Sequence, residues 1–262
     1  MTADRLDKIL VARGLAPSRS RAGQLISGGS VTIDGVVVKK SSTTVRAEQQ
    51  VAVTGEDPWV SRAAHKLLGA LETFSDIDPR GTRCLDAGAS TGGFTQVLLH
   101  YGADHVVAAD VGHDQLAPSL REHPQVTNIE GINLRYAEAG DLGAPFDLIV
   151  ADLSFISLQL VIGPLAQQLT ERGQMLLMVK PQFEVGRQRL PRTGVVTDPG
   201  LRREAVTGVL EAAAEHQLAA RAVARSPLAG QDGNAEFFLW LQPVSGVNDR
   251  LETADLENVD FG

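Results

Sequence analysis

The stretch Leu85-Asp86-Ala87-Gly88-Ala89-Ser90-Thr91-Gly92-Gly93-Phe94-Thr95 constrains the fold more than any other. A short apolar run ends in a carboxylate, glycines and small residues follow, and a helical pattern begins. That order predicts a strand, a tight turn and a helix start. Small side chains let backbone approach a ligand closely, and the helix N-terminus offers unpaired N–H groups. About 20 residues further on, the spacing of a carboxylate that holds a ribose diol, Val106-Val107-Ala108-Ala109-Asp110 is a second apolar run closed by an acid. The glycine loop alone reads as an ordinary βα turn. With the second acid it predicts a nucleoside-cofactor site in a doubly wound α/β sheet.

The loop is Gly88-x-x-x-Gly92-Gly93. It matches neither the dinucleotide pattern G-x-G-x-x-G nor the phosphate cradle G-x-x-x-x-G-K-[ST]. Asp86 would repel a pyrophosphate, whereas an amino group and a sulfonium suit an acid there. The stretch favours S-adenosylmethionine over NAD or ATP, and it resembles the first motif of the Rossmann-like methyltransferases. Asp86, Gly88, Ala89, Ser90, Gly92, Gly93, Phe94 and Asp110 are the candidate cofactor residues, with Asn133 and Asp152 further along.

The single cysteine, Cys84, excludes an internal disulfide and a cysteine-rich metal site, which points to a reducing compartment. The N-terminus lacks the apolar segment of a signal peptide. The longest apolar stretch, Leu148 to Leu160, is broken by Asp152 and is far short of a membrane span. The expectation is a cytoplasmic monomer without a membrane partner. Net charge is −8, but residues 1–55 hold eight Lys/Arg against four Asp/Glu, so the rest carries −12. A basic module on an acidic body suggests a nucleic-acid arm.

Leu6, Ile9 and Leu10 share a helical face, Gly14 fits a stop, and Ser18 suits the cap of a second helix with Ala22, Leu25 and Ile26 inward. Val31-Thr32-Ile33 and Val36-Val37-Val38 flank Asp34-Gly35, a hairpin signal. The pattern Arg5-Leu-Asp, Gly14-Leu, Ser18-Arg19-x-x-Ala22 and Ile26-x-x-Gly29-x-Val31-x-Ile33-x-Gly35 resembles the S4 RNA-binding domain. The resemblance implies that Arg5, Lys8, Ser18, Arg19 and Arg21 contact RNA phosphates, which position a protein without reading sequence. Arg62, Arg187 and Arg189 are further RNA-facing candidates.

Residues 1–55 thus form one predicted module and 56–60, with Pro58, a linker. Residues 61–245 alternate as α/β, and 246–262, with five acids and one base, form an expected loose tail. Ser61 is expected to cap a helix to about Phe74. Strands are predicted at 83–87, 106–110, 126–130, 147–152, 174–180, 219–225 and 235–242, and helices near 92–101, 114–121, 157–170 and 199–217.

Asp152 and Lys180 close apolar strands and Glu236 opens one; a charge there is costly unless paired or used. A sheet-edge salt bridge accounts for any one of them. With Lys66 they make two amines and two acids able to converge at the sheet's C-terminal rim. Such a cluster suits methyl transfer to a hydroxyl: the alcohol is a poor nucleophile, and an amine kept neutral by a second ammonium takes its proton. Lys180 is the expected base, Asp152 and Lys66 its electrostatic partners, and Glu236 the orienter of Lys66. Attack at a pyrimidine C5 needs a site cysteine, and Cys84 precedes the loop. Asp152-Leu153-Ser154-Phe155 lacks the prolines of exocyclic-amine methylation.

The S4 pattern, Ser61-Arg62-x-x-His65-Lys66-Leu67, the glycine loop, Ala151-Asp-Leu-Ser-Phe-Ile-Ser157, Val179-Lys-Pro-Gln-Phe-Glu184 and Gly233-Asn-x-Glu236 together resemble the TlyA family, to about residue 243. The family consists of bacterial proteins named haemolysins and understood as ribosomal RNA 2′-O-methyltransferases. The resemblance implies a Lys66-Asp152-Lys180-Glu236 tetrad shared with FtsJ-like ribose methyltransferases, S-adenosylmethionine as donor, and cytidine ribose in ribosomal subunits as target. Pro58 before Trp59 departs from the family's usual linker. The rivals are a pore-forming haemolysin, a non-catalytic RNA-binding assembly factor and a small-molecule methyltransferase. The first finds no amphipathic basic helix, and the last leaves the basic module unexplained.

Overall fold

Apolar runs bounded by glycine, proline and charge fold into two compact units, Met1–Trp59 and Val60–Gly262. The computed structural model describes residues 4–16, 19–46, 48–55, 57–143, 145–244 and 253–262, without the side chains of 20, 21, 24 and 253–255.

In the first unit, β1 (Asp4–Arg5), α1 (Leu6–Ala12) and α2 (Arg19–Ser27) precede β2 (Val31–Ile33), β3 (Val36–Val37), β4 (Thr44–Val45) and β5 (Val51–Val53). β1 pairs antiparallel with β4, and β3-β2-β5 form a second small sheet. The expected β2–β3 hairpin forms: Asp34 and Gly35 both take positive φ, 50° and 81°, as a twist-matched two-residue turn demands. Leu6, Leu10, Ala22, Leu25, Ile26 and Val31 are buried together.

In the second unit, α3 (Ala63–Thr73), β6 (Arg83–Ala87), α4 (Gly93–His100), β7 (His105–Asp110), α5 (Pro118–Arg121), β8 (Val126–Glu130), β9 (Phe146–Ala151), α6 (Ile162–Ala166), β10 (Leu169–Val179), α7 (Pro181–Glu184), α8 (Pro199–Glu215), β11 (Leu218–Arg225) and β12 (Phe237–Pro243) follow one another. The seven-stranded sheet runs β11-β12-β10-β9-β6-β7-β8. β10, β9, β6, β7 and β8 are parallel, and β12 is antiparallel to both β10 and β11. Its parallel strands are near-continuous apolar runs because both faces are covered. The chain leaves β6 toward β7 and β8, then returns to β9 on β6's other side. That reversal opens a crevice beyond the carboxyl ends of β6 and β9, where ligands bind in open α/β sheets.

Three local expectations need correction. The helix predicted over 157–170 is a 3₁₀ turn at Leu158–Leu160 plus the short α6, and Leu169 already belongs to β10. Gly173 permits this: a Cβ there would lie 2.9 Å from the Phe146 carbonyl, at the register shift between β9 and β10. The helix near 114–121 shrinks to four residues starting at Pro118, whose fixed φ suits a first turn. The tail is not loose over its described part. A 3₁₀ turn spans Thr253–Asn258, and Leu256 and Phe261 are buried in the main core. The Phe261 ring lies 5.0 Å from Phe237, Arg202 donates to the Phe261 carbonyl at 2.9 Å, and Arg225 pairs with Asp260 at 2.7 Å. An acid count misses two apolar anchors.

Phe261→Ala is expected to cost about 3 kcal/mol, the usual scale for emptying a buried aromatic site, read as a lower midpoint in thermal unfolding. An unchanged midpoint would show that the terminal segment adds nothing to the sheet's stability.

Candidate active site

β6 delivers Asp86 to the crevice floor and then turns sharply. Gly88 has φ +84°, and a Cβ on it would sit 2.9 Å from Leu153 and 3.3 Å from the Asp152 carbonyl. Gly92 has φ +97° and opens α4, where a Cβ would lie 2.3 Å from Leu120 and 2.7 Å from Leu116. Glycine is required at both positions, one for the contact between loops and one for the helix start. Gly93, Ala89 and Ser90 complete the turn, with Ser90 at φ +47°. Phe94 is buried against Phe238, ring centroids 6.3 Å apart.

Asp86 is 1% exposed. Its Oδ2 accepts from the Thr95 backbone N–H at 2.8 Å and hydroxyl at 2.6 Å, while Oδ1 has no partner. Burial, above all, pushes its carboxyl up to about 7, against the lowering effect of the Thr95 bonds. Asp110, closing β7, accepts from the Ser90 N–H at 2.8 Å through Oδ2 and from Gly112 N–H at 2.7 Å through Oδ1. It shapes the loop and still has acceptor capacity for a diol. Asn133 caps a 3₁₀ turn through the Arg135 N–H.

A cavity of about 550 Å³ runs past Ser90, Asp110, Ile132, Asn133 and Leu134, and a smaller one of about 150 Å³ past Asp86, Ala89, Gly93, Phe94 and Lys180. Gly88, Ser90, Asp152 and Ser154 wall both. The expected cofactor residues thus lie along one two-lobed space except Gly92, which packs behind it.

The four tetrad candidates meet beside this space: Asp152 and Lys180 line it, and Lys66 and Glu236 stand behind Asp152. Ser61, expected as the cap, stands one residue too early: Arg62 occupies that position, and Ser61 Oγ only accepts from the Ala63 N–H at 3.2 Å; α3 then buries Lys66 beside Leu67 and Ala70. A surface lysine is the ordinary expectation at such a position; here the amine points inward. Lys66 Nζ bonds Glu236 Oε2 at 2.6 Å and stands 3.7 Å from Asp152 Oδ2. Lys180 Nζ is 2.7 Å from Asp152 Oδ1, without hydrogen-bond alignment, and bonds Ser154 Oγ at 2.8 Å. Glu236 is 3% exposed and pressed by Gly230, where a Cβ would come within 2.7 Å of Oε1. The result is a chain of alternating charges, Glu236–Lys66–Asp152–Lys180. Ser154 and Glu184 were quoted in the sequence only as parts of motifs, with no role of their own. Glu184 ties the loop after β9 to α7 by accepting from Ser157 Oγ at 2.5 Å and Leu158 N–H at 2.8 Å.

In the first unit the buried Asp7 holds two candidate arginines, Arg5 Nε at 2.9 Å and Arg19 at 2.7 Å, with both guanidiniums about half exposed. The Arg5 hydrogen bond, first, and Arg19 hold the Asp7 carboxyl well below the usual range. Lys8 pairs with Asp4 at 3.4 Å. Asp7 entered the sequence reading as one of the acids and as the third residue of Arg5-Leu-Asp, without a role of its own. Ser18 and the Arg21 side chain lie outside the described residues. Of the other basic candidates, Arg187 is exposed, Arg189 is tied to Glu204 and the Val185 carbonyl, and Arg62 donates to the Ala229 carbonyl at 2.5 Å. Those engagements make Arg62 and Arg189 parts of the scaffold as well as basic groups. Among the described residues there is no His/Cys/Asp/Glu group able to hold a metal, and no helix long and apolar enough to cross a membrane.

A parallel sheet closed by an antiparallel pair, with its crevice beside an acid-tipped first strand, defines a Rossmann-like methyltransferase. The chain belongs to the FtsJ-like methyltransferase family, whose model matches residues 59–243, and an S4 domain matches residues 4–51. The 16S/23S rRNA (cytidine-2′-O)-methyltransferase TlyA of Mycobacterium tuberculosis is 50% identical over 240 residues, 91% of this chain and 89% of that protein. The 23S rRNA (cytidine-2′-O)-methyltransferase TlyA of Campylobacter jejuni is 31% identical over 249 residues, 88% of this chain and 96% of that one. A solved Streptococcus thermophilus structure described as a hemolysin superposes with a TM-score of 0.76 at 32% identity, covering 98% of this chain and 94% of that chain.

Two outcomes are expected. Between about pH 4 and 7 native Asp86 keeps a proton that the unfolded chain has lost, so this group's contribution to stability falls as pH rises through that window. Asp86→Asn removes the penalty. Denaturant unfolding of the ligand-free protein is expected to show the variant gaining on the wild type from pH 5 to pH 8 by more than about 1 kcal/mol; a pH-independent difference would refute this. Arg19→Glu is expected to weaken RNA binding and flatten its salt slope by about one unit, with S-adenosylmethionine affinity unchanged in calorimetry. RNA affinity equal to wild type would remove Arg19 from the interface.

Proposed function

We propose that this chain methylates the 2′-hydroxyl of cytidine in ribosomal RNA, using S-adenosylmethionine. Residues 61–245 are the catalytic unit, and residues 1–55 are the RNA arm. The observation that carries the reading is the alternating Glu236–Lys66–Asp152–Lys180 chain, which reaches the cavities through Asp152, on the wall of both, and Lys180, on the wall of the smaller. The relatives named as rRNA (cytidine-2′-O)-methyltransferases supply the target class. The greater identity to the relative named for both rRNAs favours action on both subunits, by a cytoplasmic monomer.

The residues present fit the donor. Asp110, with Asn133 nearby, would take the ribose side in the larger lobe, and the unpartnered Asp86 Oδ1 suits a cationic amino group in the smaller one. S-adenosylmethionine supplies a methyl group already activated on sulfur. The protein must make the alcohol nucleophilic and hold it in line. Lys180 takes the hydroxyl proton. Asp152 orients Lys180 and steadies the ammonium that results. Lys66, fixed by Glu236, balances Asp152 and contributes positive potential beside the forming alkoxide. Phe155 stands 91% exposed at the mouth with φ +63°, its ring 5.3 Å from Phe183. A bulky residue held in that backbone region and facing solvent offers a stacking face to an unpaired base.

Lys180→Ala is expected to lower methyl transfer by at least about a hundredfold, the scale of a general base, while calorimetric S-adenosylmethionine affinity persists. Mass mapping of ribose methylation in both rRNAs, with and without the gene, tests the target. Identical maps would overturn the assignment.

A further inference from the structure

We propose that Ser154 is a positioning residue whose hydroxyl, 2.8 Å from Lys180 Nζ, turns the amine so that its lone pair faces the sugar hydroxyl. This rests on the reading of Lys180 as the proton acceptor.

A neutral primary amine presents two N–H groups and one lone pair in a tetrahedral array. Rotation about its last carbon–nitrogen bond decides which of them meets the substrate. Asp152 Oδ1, at 2.7 Å, lies off the hydrogen-bond direction. Among the described residues Ser154 Oγ therefore makes the aligned hydrogen bond to this amine. The bond to Ser154 Oγ fixes one of the three directions, the negative charge of Asp152 beside it draws a second N–H to its side, and the third is left for the lone pair. Lys180 lines the smaller lobe, while Asp152 and Ser154 wall both. The remaining direction thus belongs to the space where donor and alcohol meet.

Ser154 is itself held at both ends of its loop. Upstream, Asp152 N–H bonds the Ala87 carbonyl at 3.2 Å, and Leu153 packs on Gly88. Downstream, Ser157 and Leu158 bond Glu184. Glu184 closes α7, the helix that begins directly after Lys180. Base and serine are thereby carried by two segments riveted together. The step forms the oxygen–carbon bond, breaks the carbon–sulfur bond with its electron pair left on sulfur, and moves the hydroxyl proton to Nζ.

The test compares full-length wild type, Ser154→Ala, Ser154→Thr and Lys180→Ala in single-turnover methyl transfer to rRNA across the pH range. Ser154→Ala is expected to lower the plateau about ten- to a hundredfold, the scale of one hydrogen bond to a charged group. Its acidic limb should also move to lower pH, because the serine oxygen favours the protonated amine. Asp152, Lys66, Glu236 and Asp86, the other charged groups around Lys180, are unchanged in that variant, so a moved limb reports Ser154. The threonine variant, which keeps the hydroxyl, should restore rate and limb. A Ser154→Ala enzyme with wild-type rate and limb, beside an inactive Lys180→Ala, overturns this inference alone. So does a lower rate with an unmoved limb, or a loss of S-adenosylmethionine affinity measured by calorimetry. A fully active Lys180→Ala enzyme overturns the parent reading instead.

Discussion

The active end of the sheet depends on charge alternation. Lys66, Lys180 and Glu236 are each under 10% exposed, a state that isolated charges reach only at a cost of several kcal/mol per ion. The cost is offset because every member has an opposite charge within 4 Å, and the inner two, Lys66 and Asp152, have one on each side. Deleting an inner member would leave one outer member without an opposite charge, whereas deleting an outer one leaves the remaining three paired. The arrangement is a unit, and its members' contributions are not separable by single deletions.

Topology makes this unit possible. Its members come from α3, the end of β9, the end of β10 and the start of β12. Parallel β9 and β10 bring Asp152 and Lys180 out at the same edge. Antiparallel β12 enters the sheet at that edge, so a residue at its start, Glu236, arrives beside residues at the ends of β9 and β10. An all-parallel seventh strand would have put Glu236 at the opposite rim. The reversal of strand order between β9 and β6 then sets the two-lobed cavity against this wall.

The small N-terminal unit shows the same physics at the surface. Arg5 and Arg19 share buried Asp7, which limits their conformational freedom while leaving both guanidiniums open to solvent. Basic groups held this way lose less entropy when they meet phosphate than free side chains would. An acid in a basic module need not oppose nucleic-acid binding.

Sequence alone determined the core of each strand in the large sheet and the site's chemical types, because apolar runs of strand length ending in Asp152, Lys180 or Asp86 are local patterns. The Asp34-Gly35 turn and the Pro199 start of α8 were legible for the same reason, since backbone preference is a property of neighbouring residues. Only the tertiary structure decided which charges touch, that Lys66 turns inward instead of snorkelling, and that Ser154 reaches the Lys180 amine. It alone decided that Phe261 returns to the sheet and that Leu169 joins β10 instead of a helix. These outcomes turn on burial and on contacts between distant segments, and a residue's own neighbours carry no information about either.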